Sequence, residues 1–353
     1  MEDRKDIVEL TKMIKYINSV NKLDDNYCLV FVYNIPENIR DDVHNIECIL
    51  PNEQTMIIKS FRKCFEYVYA VDGEDAFISR VSSLRNQHKY ILVYSMAQNI
   101  DGVGRRCLVP LLCEYYNLIN IGSGFYPSFL GGSKQLMYSF VSHIFPNIMP
   151  KSFFINCEKD ITDFLNHDYH SDSYLLKPDD ESASIGIEQI KISDTLDTFA
   201  LLYEYWQKHE KFIIQEYIDG IEIEVPLFSI DEEYLCPGIA RIVKESEFSF
   251  LDYNAVFFEQ YSFETYKSEI SDCIISICRQ ICQCLEFDAI SRIDFIVKDS
   301  NLYLIDLGAN PTISYHSSTN YLFRHFFNDE TLPYRLLVYS ALQEHKLLEP
   351  PLK

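Results

Sequence analysis

Residues 291–297 (SRIDFIV) and 302–307 (LYLIDL) are two short apolar runs joined by a polar tetrapeptide, Lys298-Asp299-Ser300-Asn301. That pattern predicts a β-hairpin, the strongest local constraint in the chain. Each run carries one acid among apolar neighbours, Asp294 and Asp306. Antiparallel pairing through this turn sets the two acids roughly opposite each other. Facing carboxylates repel unless something positive lies between them, and a divalent cation carrying phosphate oxygens meets that need. The alternative is an edge hairpin with both acids in water.

The 353 residues, 47% of them hydrophobic, suffice for two or three packed domains in one compact molecule. A net charge of −22 argues against a nucleic-acid backbone or an anionic membrane as the main partner. No apolar run approaches a membrane span. The eleven cysteines follow no paired spacing and no secretory pattern opens the chain, so reduced thiols and a cytoplasmic location are expected. Cys273, Cys278, Cys282 and Cys284 fall on a segment of helical period, residues 266–287. They lack a C-x-x-C pair and are expected to be helix cysteines, not metal ligands.

The first third alternates strand and helix. Residues 2–21 have helical period, and residues 27–33 (YCLVFVY) read as a strand buried on both faces. Shorter strands are expected at 55–59 and 67–71, a helix at 73–87, and a further central strand at 89–96. This rhythm predicts an open, mostly parallel sheet. The loop Asn99-Ile100-Asp101-Gly102-Val103-Gly104 follows the last strand, where such sheets commonly form ligand sites. A helix to about residue 116 follows, and Asp101 is a candidate cap for it. Residues 120–124 read as a flexible connection. Gly131-Gly132-Ser133-Lys134 then precedes a helix running to 143, with Ser133 or Gly132 as its N-cap.

A second unit follows, with a short strand at 152–155 and a helix at 158–166. Strand 174–178 ends in Lys177-Pro178 before a small-residue loop, 179–186. A helix is expected at 194–208. Residues 212–218 form a strand, Asp219-Gly220 a turn, and 221–230 a returning strand with Glu222 and Glu224 on one face. A solvated acidic face is the plain reading of those two glutamates. The division expected is 1–121 for an N-terminal α/β domain, 122–210 for a central domain, and 211–353 for a C-terminal α+β domain.

Lys134 after a glycine pair, Lys177 before its loop, Gln215-Glu216 before Glu222, and Arg292 with the two hairpin acids stand in one order. That order resembles the ATP-grasp superfamily, and within it the D-alanine–D-alanine ligases, from about residue 101 to 318. The resemblance implies an α/β ATP-grasp architecture behind an N-terminal open parallel domain. It implies ATP and one or two Mg²⁺ ions, with carboxylate and amine substrates joined through an acyl phosphate, on amino acids or a short peptide. It also points to a homodimer. In that likeness Lys134 and Lys177 hold phosphate oxygens, and Ser184 covers the phosphates. Gln215 meets the adenine amino edge, backbone at Glu216 and Ile218 completes the adenine slot, and Glu222 accepts from ribose. Asp294, Asp306 and Asn310 are the metal-ligand candidates. Arg292 faces the developing oxyanion as a catalytic group, with Ser184. Ser317 and Asp101 are the substrate-contact candidates.

The chain also departs from that pattern. Aspartate at 306 stands where the family usually has glutamate, Gly308 stands where it has a metal-binding asparagine, and Val256 replaces a phosphate-contacting lysine. Ala183 replaces a serine, and the family's N-terminal glycine-rich loop and acidic anchor are not recognisable after Tyr33. An active ligase with a changed substrate is expected. A degenerate nucleotide-binding or scaffold protein is the alternative.

Overall fold

The computed structural model describes residues 5–35, 47–98, 102–167, 171, 173–192, 195–245 and 250–348. Its elements run in three groups. The first holds α1 (Lys5–Ser19), β1 (Leu23–Tyr33), α2 (Pro51–Phe61), β2 (Phe65–Asp72), α3 (Glu74–Arg85), β3 (Tyr90–Ser95), α4 (Leu108–Tyr116) and β4 (Ile119–Asn120). The strands pair in the order β2-β1-β3-β4, all parallel. β1 is central, and its alternation divides two cores. Cys28, Val30 and Val32 enter one cluster with α3 and α4, while Leu29, Phe31 and Tyr33 enter another with α1 and α2.

Two expectations fail here. Residues 55–59 are helical, not a strand, because they lie inside α2. Pro51 stands in its first turn, the Glu53 carboxylate accepts from the Leu50 N–H at 3.1 Å, and Ile57 and Phe61 are buried one turn apart. The β-branched Thr55, Ile57 and Ile58 misled, since burial on one face overrides propensity. Residues 120–124 are also not all connection, because β4 extends the sheet beside β3.

The middle of the chain holds α5 (Phe125–Gly131), α6 (Lys134–Ile144), β5 (Ser152–Ile155), α7 (Glu158–Leu165), β6 (Ser173–Pro178), β7 (Glu188–Lys191), α8 (Thr195–His209) and β8 (Phe212–Glu216). Its sheet is antiparallel in the order β5-β8-β6-β7. α7 and α8 pack on it through Ile161, Phe164, Leu202 and Tyr205.

The rest comprises β9 (Ile221–Ile230), β10 (Glu233–Leu235), β11 (Ala240–Lys244), α9 (Tyr253–Phe257), β12 (Tyr261–Thr265), α10 (Ser271–Cys284), β13 (Ile290–Lys298), β14 (Asn301–Gly308), α11 (Ser318–Phe327) and α12 (Leu332–Glu344). Its antiparallel sheet runs β12-β11-β9-β13-β14, with β10 on β9. The helix expected from 266 begins only at Ser271, and residues 261–265 are strand instead. Cys278 and Cys282 are buried against this sheet, whereas Cys273 and Cys284 are exposed. β8 and β9 belong to different sheets, so residues 217–220 cross from one to the other. Among the described residues no helix is long and apolar enough to cross a membrane.

Candidate active site

β13 and β14 form the expected hairpin. Lys298 pairs with Asn301, and Asp299 and Ser300 between them both have positive φ, 48° and 63°. That is the geometry of a two-residue turn whose twist matches the strands. The turn alone would set Asp294 opposite Ile305, but a β-bulge between Asp294 and Phe295 shifts the register by one, so Asp294 lies opposite Asp306 on one side and opposite Glu224 of β9 on the other. Directly paired residues point to the same face, so three carboxylates form a row across three strands. Asp294 and Glu224 are buried, which removes the reading of both acids in water. It also removes the reading of Glu224 as a solvated face residue.

Arg292 supplies the opposing charge. Its Nε donates to Asp294 Oδ1 at 2.9 Å, its Nη2 donates to Asp294 Oδ2 at 2.7 Å, and its Nε lies 3.4 Å from Glu224 Oε2. The Ser318 hydroxyl donates to Glu224 Oε2 as well. Burial opposes the guanidinium charge, but Asp294 and Glu224 outweigh it and hold Arg292 well above its ordinary value. Burial pushes the Asp294 carboxyl up against the pull of Arg292, and Glu224 and Asp306 add to the rise. One fixed cation is therefore too little for this row, and a further positive charge would relieve it.

Two lysines approach from the central sheet. Lys177, near the end of β6, is buried and donates to Gln215 Oε1 at 2.8 Å and to the Ile305 carbonyl at 3.3 Å. Burial lowers it to about 8 despite the attraction of Asp306. Lys134 opens α6 directly after the N-cap Ser133, whose Oγ accepts from the Leu136 N–H at 3.2 Å. The Lys134 ammonium donates to the Glu181 carbonyl. The Asp179 carboxylate ties the 179–186 loop to that helix start. It accepts from Ser133 Oγ at 2.9 Å and from the Gln135 N–H at 2.7 Å. Ala183 and Ser184 then take left-handed φ values of 50° and 59°, a conformation that side chains with a Cβ rarely adopt. The Ser184 hydroxyl donates to the Leu251 carbonyl at 2.8 Å, joining this loop to the segment before α9.

A cavity of about 520 Å³ lies between the sheets. Lys134, Lys177, Ser184, Gln215, Glu216, Ile218, Glu222, Arg292, Asp294, Asp306, Asn310 and Ser317 all line it. Asp101 lies outside the described residues. Burial, countered by Lys244 and reinforced by Glu224, pushes Glu222 up to about 7. The Gln215 carboxamide accepts from Lys177 and donates to Ser152 Oγ at 3.2 Å. Ser317 caps α11, accepting from the Asn320 N–H at 3.2 Å and donating to the Ser314 carbonyl at 2.8 Å. Asn310 donates to the Ser95 carbonyl at 3.1 Å, and among the described residues its buried Oδ1 meets no hydrogen-bond donor.

Two groups escaped the sequence reading. Glu224 was legible only as one of an alternating pair. Buried Arg105 and half-buried Arg106 both reach Glu47, Arg105 at 2.8 Å and Arg106 at 3.4 Å, and Arg105 also reaches Glu181 at 3.2 Å. This network joins the N-terminal segment to the 179–186 loop. No local pattern links Glu47 to residue 181.

Among the described residues no group of three or more His, Cys, Asp or Glu side chains is gathered for a metal. The oxygen donors Asp294 and Asp306 still suit Mg²⁺, which commonly takes one or two protein carboxylates and completes its shell with phosphates and water.

The family model for the D-Ala D-Ala ligase C-terminus matches residues 167–342. A D-alanine–D-alanine ligase of Coprothermobacter proteolyticus is 24% identical over 148 residues, 41% of this chain and 47% of that protein. The ligase of Syntrophobacter fumaroxidans is 28% identical over 141 residues, 39% of this chain and 44% of its own length. The chain thus spans about half the length of the curated relatives it matches. Over the whole fold, the D-alanine–D-alanine ligase from Bacillus anthracis complexed with ATP superposes with a TM-score of 0.67 at 14% identity. It covers 91% of this chain and 99% of that one. The D-alanyl-alanine synthetase A from Vibrio cholerae gives a TM-score of 0.69 at 10% identity, covering 91% and 100%. Residues 167–342 thus match the D-alanine–D-alanine ligase C-terminal domain, and the chain shares the fold of these ligases.

Proposed function

We propose that the protein is an ATP- and Mg²⁺-dependent carboxylate–amine ligase. The observation that carries this reading is the row Glu224–Asp294–Asp306 with Arg292, set across one cavity from Lys134 and Lys177. In this reading the two lysines bind phosphate oxygens as point charges. Ser184 and the backbone of its loop close over them. Glu216 and Ile218 border the adenine, and Glu222 meets the ribose. Gln215 orients the Lys177 ammonium through its hydrogen bond. Asp294 and Asp306 would hold Mg²⁺, with Asn310 near by, and the ion supplies charge neutralisation at the phosphates when bound.

A substrate carboxylate oxygen attacks the γ-phosphorus, and ADP leaves with the electron pair of the broken P–O bond. The amine nitrogen then attacks the acyl carbon, a C–N bond forms, and phosphate departs with the C–O electron pair and takes up the amine proton. Arg292 stands where charge develops on the acyl oxygen. The carboxylate substrate is an amino acid or short peptide, with Ser317 bordering its amine partner. A homodimer and a cytoplasmic location belong to the same proposal. Burying the Lys177 ammonium is unfavourable and has no use in a scaffold, which weighs against the degenerate alternative.

The test is an ADP-release screen over amino acids and dipeptides with Mg²⁺. Stimulation by one carboxylate–amine pair is expected. If no pair stimulates release while ATP still raises the melting temperature, the protein is a nucleotide-binding module instead.

Gly308 offers a second check. A Cβ there would meet the Pro311 Cβ at 3.6 Å and the Arg292 carbonyl oxygen at 3.7 Å, ordinary contacts. Gly308→Asn therefore fits, and stability should change by less than about 1 kcal/mol. The Mg²⁺ concentration giving half-maximal ADP release should fall several-fold. An unchanged Mg²⁺ dependence would show that position 308 does not face the ion.

A further inference from the structure

We infer that Arg106 holds the γ-phosphoryl group of ATP during its transfer, a cation supplied from the N-terminal domain. This rests on the ligase reading and adds one residue to the same site.

The opposite wall brings no such charge. Phe250, Leu251, Val256 and Phe257 border the cavity from the segment that Ser184 ties down, and Glu259 follows them. That wall offers apolar surface and an acid. The other cations lining the cavity are engaged. Lys134 and Lys177 donate to the Glu181 and Ile305 carbonyls, Arg105 is held by Glu47 and Glu181, Arg292 is on Asp294, and Lys244 acts on Glu222. A triphosphate beside the Glu224–Asp294–Asp306 row adds anionic charge to a site where one arginine already faces three carboxylates.

Arg106 is placed differently. It lines the same cavity, and its side chain is 39% exposed where that of Arg105 is 8%. Its Nε donates to Gln98 Oε1 at 2.9 Å, which fixes the plane of the guanidinium. Its Nη2 makes longer contacts, 3.3 Å to Ser182 Oγ and 3.4 Å to Glu47 Oε1. Among the described residues its Nη1 has no partner. Glu47 is the nearer partner of Arg105, at 2.8 Å, so it meets the charge of Arg106 only in part. Burial lowers Arg106 from its ordinary value, Glu47 opposes that, Arg105 adds to the fall, and Asp306 pulls it back. The guanidinium is therefore short of negative charge, and it stands within reach of the field of Asp306.

Asp306 attracts Arg106 and Lys177 alike. A phosphoryl group carried by an ion on Asp306 would meet Lys177 from the central sheet and Arg106 from the loop after β3. The Ser182 contact ties Arg106 to the loop that closes over the phosphates. Arg106 forms and breaks no bond. Its free Nη1 donates a charge-assisted hydrogen bond to a phosphoryl oxygen while the P–O bond to ADP breaks and that to the carboxylate oxygen forms.

Calorimetric titration of the full chain with Mg²⁺-ADP and with the Mg²⁺ complex of a non-hydrolysable ATP analogue reads this contact without the other substrates. The wild-type protein should prefer the analogue. Arg106→Gln should bind ADP as before and lose about tenfold or more of that preference. Glu47→Gln separates charge from tether, because it removes a partner of Arg106 and leaves the guanidinium less neutralised. Its preference for the analogue should hold or rise, whereas a residue that only braced the loop would lower it in both variants. An analogue-to-ADP ratio unchanged in Arg106→Gln overturns the inference and leaves nucleotide binding standing. An equal fall in both variants, or a wild-type protein without the preference, does the same. A wild-type protein that binds neither nucleotide overturns the ligase reading and this inference together.

Discussion

Asp294→Asn is expected to lower ADP release about a thousandfold or more, equivalent to roughly 4 kcal/mol of transition-state stabilisation. Asp294 has two tasks in this site. It is a candidate oxygen ligand, and it anchors Arg292 through three hydrogen bonds at 2.9, 3.2 and 2.7 Å. Asparagine keeps the shape but loses the charge, so Arg292 is left to Glu224, 3.4 Å away, and to the weaker pull of Asp306. Removing one member of a buried ion pair typically costs about 3–5 kcal/mol, and the neutral isostere with an accepting oxygen should fall below that range. Thermal unfolding separates the two effects. A loss of activity with a small drop in melting temperature supports the role in chemistry. Near-normal turnover by a folded variant would remove Asp294 from the site.

Lys177→Met should separate stability from activity. Burial lowers the lysine to about 8, so its charge is a burden on the nucleotide-free fold at neutral pH. Methionine removes that burden but leaves Gln215 Oε1 and the Ile305 carbonyl without their donor. An unmet buried acceptor costs about 1–3 kcal/mol, so the two effects largely offset and the melting temperature should change little. The stabilisation by ATP should be lost, with KM for ATP rising at least about tenfold, as for removal of a charge-assisted hydrogen bond. The wild-type protein has a matching pH signature. The unfolded chain keeps the Lys177 proton up to its ordinary 10.5, while the folded protein releases it near 8. Between those values the unfolded state binds more protons, so this group makes stability rise with pH. Lys177→Met should lack that rise. Retention of the full ATP-induced shift in the variant would contradict the assignment.

What the sequence revealed follows from how local each contact is. The hairpin was legible because its polar turn and flanking apolar runs are contiguous, but nothing local marked the bulge that brings Asp306, and not Ile305, opposite Asp294. Lys177 and its loop were legible because strand and loop are contiguous. Glu224 was not, because its meaning depends on β9 pairing with β13 nearly seventy residues later. The α2 helix was missed because three β-branched residues in five outweighed a one-sided apolar pattern in the reading. Glu47, Arg105 and Glu181 come from three parts of the chain, and only the folded molecule brings them together.

The fold also sorts its cores in an order the chain does not follow. α12, close to the C-terminus, packs against α1 and α2 and shares one continuous core with the inner face of β1. The first and last parts of the chain are therefore welded into a single base. The β5–β8 sheet keeps a separate core with α7 and α8. The cavity lies where these two bodies meet. The chain crosses between these bodies twice, at residues 145–151 and 217–220, and Ile213 of β8 enters the core beneath β9 and β13, so the two walls of the cleft are packed together on one side while the cavity stays open on the other.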